Sequence, residues 1–236
     1  MTRIFLKEKL ELNKEIKITD KLHHYLINVM RSVIGDNIIL INGIDGEFLS
    51  KITFANNKYC TLKIIEKTKN YYEEPFLGLI FAPIQKIDIL LKSATELGVS
   101  NFYPIKTDYS NKDIKDNKLE GNIIEAVEQC ERLDFPKIHK IQNLKEILDE
   151  LQNTNSLIFF CEERTSNNSI KSIIQNTKIL DKKIYALVGP EGGFSNKEKD
   201  LINSYKNTIS INLGKNILRT ETATISILSI LKNFCL

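Results

Sequence analysis

The sequence predicts an α/β fold: a mostly parallel sheet with helices on both faces over residues 76–236, preceded by a small β-barrel domain over residues 1–70. Three observations lead there. From residue 76 onward, short apolar runs alternate with amphipathic helical stretches. Before residue 70, short β-rich runs are separated by Asn- and Gly-containing turns, with a single helical stretch among them. Two glycine-bearing loops, 187–193 and 213–223, each follow an apolar run, at the strand ends where open α/β sheets bind ligands.

In the first part, Asp20 is placed to cap a helix whose apolar residues Leu22, Tyr25, Leu26, Val29 and Met30 recur at three- and four-residue spacing, ending near Gly35. Strands are expected at 37–42, 46–54 and 59–66, turning at Asn42-Gly43-Ile44-Asp45-Gly46 and at Asn56-Asn57. Residues 67–75 lack periodicity and read as a linker.

In the second part, 76–82 is a buried-strand run. Ile87, Leu90, Leu91, Ala94 and Leu97 then form a helical stripe closed by Gly98. A strand at 99–105 precedes a helix over 117–133, a short strand near Ile138, a helix at 144–151 and a strand at 157–161. A helix at 169–176 and a strand at 183–188 follow. Ser195 and Glu198 form a capping box that starts a helix to about Tyr205. The last strand is 209–212 and the last helix 221–234.

The chain has 236 residues, 42% of them hydrophobic, enough for one large or two smaller cores. No run approaches a membrane span, and the opening Met-Thr-Arg-Ile-Phe-Leu-Lys-Glu-Lys is too charged for a signal peptide, so a cytoplasmic location is expected. Cys60, Cys130, Cys161 and Cys235 show neither Cys-x-x-Cys spacing nor a disulfide framework. His23 and His24 are adjacent and cannot share a helical face, so no metal site is expected. Residues 1–72 hold 12 Lys and Arg against 8 Asp and Glu, and the rest of the chain 21 against 22, so the net +3 resides in the first third. A basic small domain suits a polyanion.

Gly189, Pro190, Gly192 and Gly193 crowd one turn, where missing Cβ atoms expose main chain to a ligand. The loop is neither a phosphate-binding loop, since no Lys-Ser/Thr pair follows it, nor the dinucleotide fingerprint, whose spacing is absent; a dehydrogenase is disfavoured. In the second segment Thr220 suits a helix N-cap and Glu221 the first turn. Arg219 has no such role, because a cation at a helix start is unfavourable without an anion to offset it.

Taken together, Leu-Val-Gly-Pro-Glu-Gly-Gly (187–193), Leu-Gly-Lys-Asn-Ile-Leu-Arg-Thr-Glu-Thr-Ala (213–223), and Lys86 and Lys92 ahead of Glu96-Leu97-Gly98-Val99 resemble the RsmE family of SPOUT methyltransferases. The resemblance covers essentially the whole chain. It implies S-adenosylmethionine-dependent methylation of N3 of one uridine, position 1498 of 16S ribosomal RNA, by a homodimer acting on the small ribosomal subunit. It also implies a trefoil knot through which the last helix is threaded, and a PUA-like RNA-binding barrel at the N-terminus. The alternatives are another SPOUT enzyme methylating a ribose 2′-hydroxyl, and a non-catalytic RNA-binding assembly factor. Carried over by position, Leu187, Gly189, Glu191, Gly192, Gly193, Leu213, Gly214, Ile217, Leu218 and Thr222 would bind the cofactor. Arg219 would stabilise the developing imide anion, with Glu221 as the second catalytic candidate and proton acceptor. Arg3, His24, Arg31, Lys51, Lys86, Lys92 and Arg132 are the RNA-contact candidates. The family shows glycine where this chain has Glu131, within Glu128-Gln129-Cys130-Glu131-Arg132.

Overall fold

A computed structural model describes residues 1–110, 116–162 and 181–235, and the chain divides into two compact units, residues 1–73 with 127–135 and residues 74–126 with 136–236. The first unit contains β1 (Arg3–Phe5), β2 (Glu15–Ile18), α1 (Asp20–His24), β3 (Asn37–Ile41), β4 (Glu47–Ala55) and β5 (Cys60–Lys69). They form one sheet in the order β1-β3-β4-β5-β2, antiparallel apart from the parallel β1–β3 pair. Register shifts along β4 and β5 increase the local twist. Ile4, Ile16, Leu26, Ile38, Leu40, Ile52, Leu62 and Ile64 fill the core beneath. β5 continues to Lys69, three residues into the segment expected to be linker.

The helix of this unit differs from the sequence expectation. Thr19 is its N-cap, and Asp20 is its first residue, with φ of +54°. After His24 the chain widens into a π-helical turn, Tyr25–Val29, closed by the Met30 N–H on the Tyr25 carbonyl at 2.9 Å. A wider turn breaks the 3.6-residue register. Leu26 stays buried, whereas Tyr25, Val29 and Met30 are exposed.

Residues 127–135 complete this unit. The Phe5 and Phe135 rings pack tilted at 34° with centroids 4.6 Å apart, and the Phe5 N–H donates to Glu128 Oε1 at 2.8 Å. A Cβ on Gly43 would fall 2.7 Å from that of Phe135, so only glycine allows the approach. Arg3 pairs with Glu47 and with Glu131, and Lys69 reaches the same two carboxylates at 3.2 and 3.3 Å. Glu131 has φ of +63°, which explains why glycine suits this position and why the preceding helix stops at Cys130, not at Leu133.

The second unit contains β6 (Leu77–Phe81), α2 (Ile87–Glu96), β7 (Asn101–Lys106), most of α3 (Asp116–Cys130), β8 (Lys137–Ile138), β9 (Gln142–Asn143), α4 (Leu144–Gln152), β10 (Ser156–Cys161), β11 (Lys183–Val188), α5 (Asn196–Ser204), β12 (Thr208–Ile211) and α6 (Thr220–Cys235). The helix expected at 169–176 lies outside the described residues. The sheet runs β12-β10-β11-β6-β7-β8, with β9 also on β7, and every pairing is parallel. β6 and nearly all of β11 are buried, as continuous apolar strands covered on both faces must be. Against one face, α4 lays Leu144, Ile147, Leu148 and Leu151, at one-turn spacing, beside Ile202 and Tyr205 from α5 and its end. α6 packs on β11 and on α2. Ser195 and Glu198 make the expected capping box, with bonds of 2.8 and 3.3 Å. Gly98 closes α2 at φ +92°.

Candidate active site

The carboxyl ends of β10, β11 and β12 lie side by side, and the chain leaving them encloses a cleft of about 660 Å³, counting the part open to solvent. The apolar side chains of Val188, Phe194, Leu213 and Leu218 line it, interrupted by main chain at Gly189, Gly193 and Gly214. Gly193 has φ of +69° and Gly214 φ of +137°, a region that side chains strain to enter, and no atom lies within 4 Å of where their Cβ atoms would be. The glycines therefore supply both a turn and open space. The Gly214 N–H is held by Asn212 Oδ1 at 2.7 Å, and the Gly193 N–H by the Pro190 carbonyl at 2.9 Å.

The two glycine loops are tied together. Thr220 Oγ1 donates to the Gly189 carbonyl at 3.0 Å, joining the first turn of α6 to the end of β11. α6 begins at Thr220, so Arg219 occupies the N-cap position that the sequence had suggested for Thr220. The Arg219 carbonyl accepts the Ala223 N–H at 2.8 Å while its side chain stays exposed. Glu221 follows, 14% exposed, its carboxylate 3.9 Å from Lys86 Nζ. An acid in the first turn is favourable at the positive end of the helix dipole. The Gln85 N–H donates to Glu191 Oε1 at 2.8 Å, so the segment after β6 braces the first glycine loop. At the end of β10, desolvation pushes the half-buried Cys161 thiol up to about 12, so it remains protonated at neutral pH.

The chain matches the model of an RNA methyltransferase domain over residues 73–232 and that of an RNA methyltransferase PUA domain over residues 18–65. It is 36% identical over 228 residues, 95% of this chain and 92% of the relative, to the ribosomal RNA small subunit methyltransferase E of Rickettsia conorii. It belongs to the methyltransferase E family. The methyltransferase E of Buchnera aphidicola from Schizaphis graminum is 30% identical over 98% of this chain and 95% of its own length. The fold matches a methyltransferase E of Neisseria gonorrhoeae solved with S-adenosyl methionine (TM-score 0.85, 23% identity, 99% of this chain and 97% of that one). It also matches a methyltransferase of Legionella pneumophila (TM-score 0.86, 24% identity, 98% and 97%).

Of the cofactor candidates, Gly189, Gly193, Leu213, Gly214 and Leu218 line the cleft. Five other cofactor candidates stand apart from its lining. The Leu187 side chain is wholly buried in the core of the sheet, because alternate residues of β11 face opposite ways. Glu191 holds the Gln85 N–H. Gly192 faces Tyr109, whose Cβ lies 3.1 Å from where a Gly192 Cβ would be. Ile217 is 63% exposed, and Thr222 is exposed on α6. Glu162, Lys199, Asn212, Asn216 and Thr220 are polar residues that also line the cleft and are not among the sequence's cofactor candidates. The strand-end rule points to the ends of β11 and β12, where the glycine loops begin, and nothing in the sequence marks the end of β10 or which side chains border the space.

The RNA candidates separate in the same way. Arg3 is almost wholly buried between Glu47 and Glu131. Arg132 is buried and holds Asp134 through Nε at 2.9 Å and Nη2 at 2.6 Å. Both guanidinium groups are paired with carboxylates. Lys92 pairs with Glu125 at 2.6 Å, and Lys86 borders Glu221. His24, Arg31 and Lys51 are exposed. No group of His, Cys, Asp and Glu among the described residues could hold a metal ion.

Proposed function

We propose that this chain methylates N3 of a uridine in 16S ribosomal RNA, position 1498, with S-adenosylmethionine as donor. The observation that carries the reading is the cleft at the ends of β10, β11 and β12. Its apolar walls suit a purine, and its glycines admit a ligand against the main chain. Membership in the methyltransferase E family fixes the reaction class, and the resemblance described above supplies the base and its position.

S-adenosylmethionine supplies a methyl group on a positively charged sulfur. The protein must bring the uridine N3 into line with it and deal with the N3 proton, which has to leave before or as the new N–C bond forms. Arg219, exposed at the start of α6 beside the cleft, offsets the negative charge that spreads over the two carbonyl oxygens of the base. Glu221, two residues on, accepts the proton, with Lys86 holding its carboxylate. The base must present its pairing edge, so it is turned out of its RNA stack. The first unit, a PUA-like RNA-binding domain, guides the RNA with His24, Arg31 and Lys51 as phosphate contacts. The second unit is the catalytic domain, knotted by its last helix. It works as a homodimer whose contact face includes Ile89 on α2 and Ile225 on α6, 41% and 37% exposed on two helices that pack together.

Nucleoside mass spectrometry of 16S RNA from cells with and without the gene tests this. Loss of 3-methyluridine from the decoding region is expected. An unchanged base methyl with a missing ribose methyl would overturn the reading.

A further inference from the structure

Among the described residues that line the cleft, Glu162 is the one carboxylate. It directly follows β10, and its N–H donates to the Ile211 carbonyl at 3.0 Å, which fixes its main chain against the end of β12. With the N–H engaged, the groups the residue offers a ligand are acceptors, the carboxylate foremost. Among the described lining residues, two side chains carry charge, Glu162 and Lys199, since Cys161 stays protonated. The apolar residues Val188, Phe194, Leu213 and Leu218 complete the wall.

We infer that Glu162 accepts hydrogen bonds from the ribose 2′- and 3′-hydroxyls of the nucleoside in this cleft, making it the residue that selects a ribonucleoside cofactor over its deoxy counterpart. The inference rests on the reading that S-adenosylmethionine occupies the cleft. A vicinal diol presents two donors side by side, and a carboxylate has two acceptor oxygens and no donor to compete. Lysine cannot accept, and an amide offers one acceptor oxygen in place of two. A carboxylate near the end of a parallel strand, gripping a ribose while glycines border the rest of the ligand, is the arrangement other open α/β sheets use for nucleotides. A site built to bond a hydroxyl also rejects the analogue lacking it, because the acceptor is left unpaired.

Calorimetry with 5′-methylthioadenosine, its 2′-deoxy analogue and S-adenosylhomocysteine, on the full chain and on Glu162→Ala and Glu162→Gln, tests this. The unaltered protein is expected to prefer the ribonucleoside by about tenfold or more, the scale of a bond to a charged acceptor. Glu162→Ala should reduce that preference to within about twofold, and Glu162→Gln should retain part of it. Both variants should weaken 5′-methylthioadenosine and S-adenosylhomocysteine alike. A ribose preference undiminished in both variants would overturn the assignment. Weakened S-adenosylhomocysteine with unchanged 5′-methylthioadenosine would also overturn it, placing the carboxylate against the amino-acid ammonium instead. If the unaltered chain bound none of the three, the cofactor reading itself would fall, an outcome distinct from either of these.

Discussion

The Thr220 hydroxyl donates to the Gly189 carbonyl at 3.0 Å, and this bond closes the cleft by joining two loops 31 residues apart in sequence. Thr220 is buried and its own carbonyl accepts the Thr224 hydroxyl at 2.8 Å, so the bond sits in a chain of donors and acceptors at the start of α6.

Replacing Thr220 with valine keeps the shape and removes the donor. The Gly189 carbonyl loses its partner, and a destabilisation of about 1–2 kcal/mol is expected. Because the lost bond also sets the spacing of the loops, affinity for S-adenosylmethionine should fall several-fold. Urea unfolding and calorimetry check the two effects; a variant with lowered stability but normal affinity would mean that the bond serves the fold alone.

Gly189 and Gly192 are expected to behave differently although both belong to one motif. A Cβ on Gly189 would lie 2.8 Å from the ring of Phe194, which lines the cleft, so Gly189→Ala must displace a wall of the site. At Gly192 the neighbour is the Tyr109 side chain, at 3.1 Å and outside the cleft lining. Gly189→Ala should weaken S-adenosylmethionine binding at least about tenfold and Gly192→Ala by less than about threefold, overpacking being the cause in the first. Equal losses would show that the motif acts as a single rigid unit.

Arg219→Ala removes an exposed side chain that no described core contact requires. Methyl transfer to 30S particles is expected to fall by about a hundredfold or more, the scale of losing one preorganised charge donor, while cofactor affinity stays within about twofold. Full turnover would remove Arg219 from the mechanism.

In the first unit, burial alone would raise the Glu47 carboxyl, but hydrogen bonds from Arg3, Thr68 and Lys69 outweigh it and hold the group below its ordinary value. A carboxyl depressed in the folded state stabilises the protein above its unfolded value of 4.5, and that contribution is lost as pH falls through the lower folded value. Glu47→Gln should therefore be less stable near neutrality by about 2–3 kcal/mol, because it leaves the buried Arg3 short of a counter-charge. The difference should shrink steadily below about pH 4.5, where the unaltered chain also loses its charge. Denaturant midpoints across that range measure it.

Much of this was legible before any coordinates. Period-two and period-four patterns in 76–105 and 144–161 located strands and helices, because those elements are buried where their apolar residues require. The glycine loops were legible because positive φ at Gly193 and Gly214 leaves few alternatives to glycine. The π-helical turn at Tyr25–Val29 was not, since an amphipathic pattern carries no mark of a widened turn. The ion pairs of Arg3 and Arg132 are not legible either, because their anionic partners are chosen by the fold. Glu47 is 44 residues from Arg3, and nothing in the spacing of Arg132 and Asp134 announces that both are buried. Glu131 is the converse case: a departure from the expected glycine that retains glycine's backbone conformation and adds two ion pairs.

Helix α3 begins among residues of the second unit and ends, with the chain as far as Phe135, inside the first. A cut near residue 73 would thus not release two cassettes. An isolated N-terminal piece would lack the ring that covers Gly43 and the carboxylate that shares Arg3 with Glu47. Recombining this module with another enzyme would demand transplanting a second, distant stretch along with it, so the halves are bound to be inherited as one.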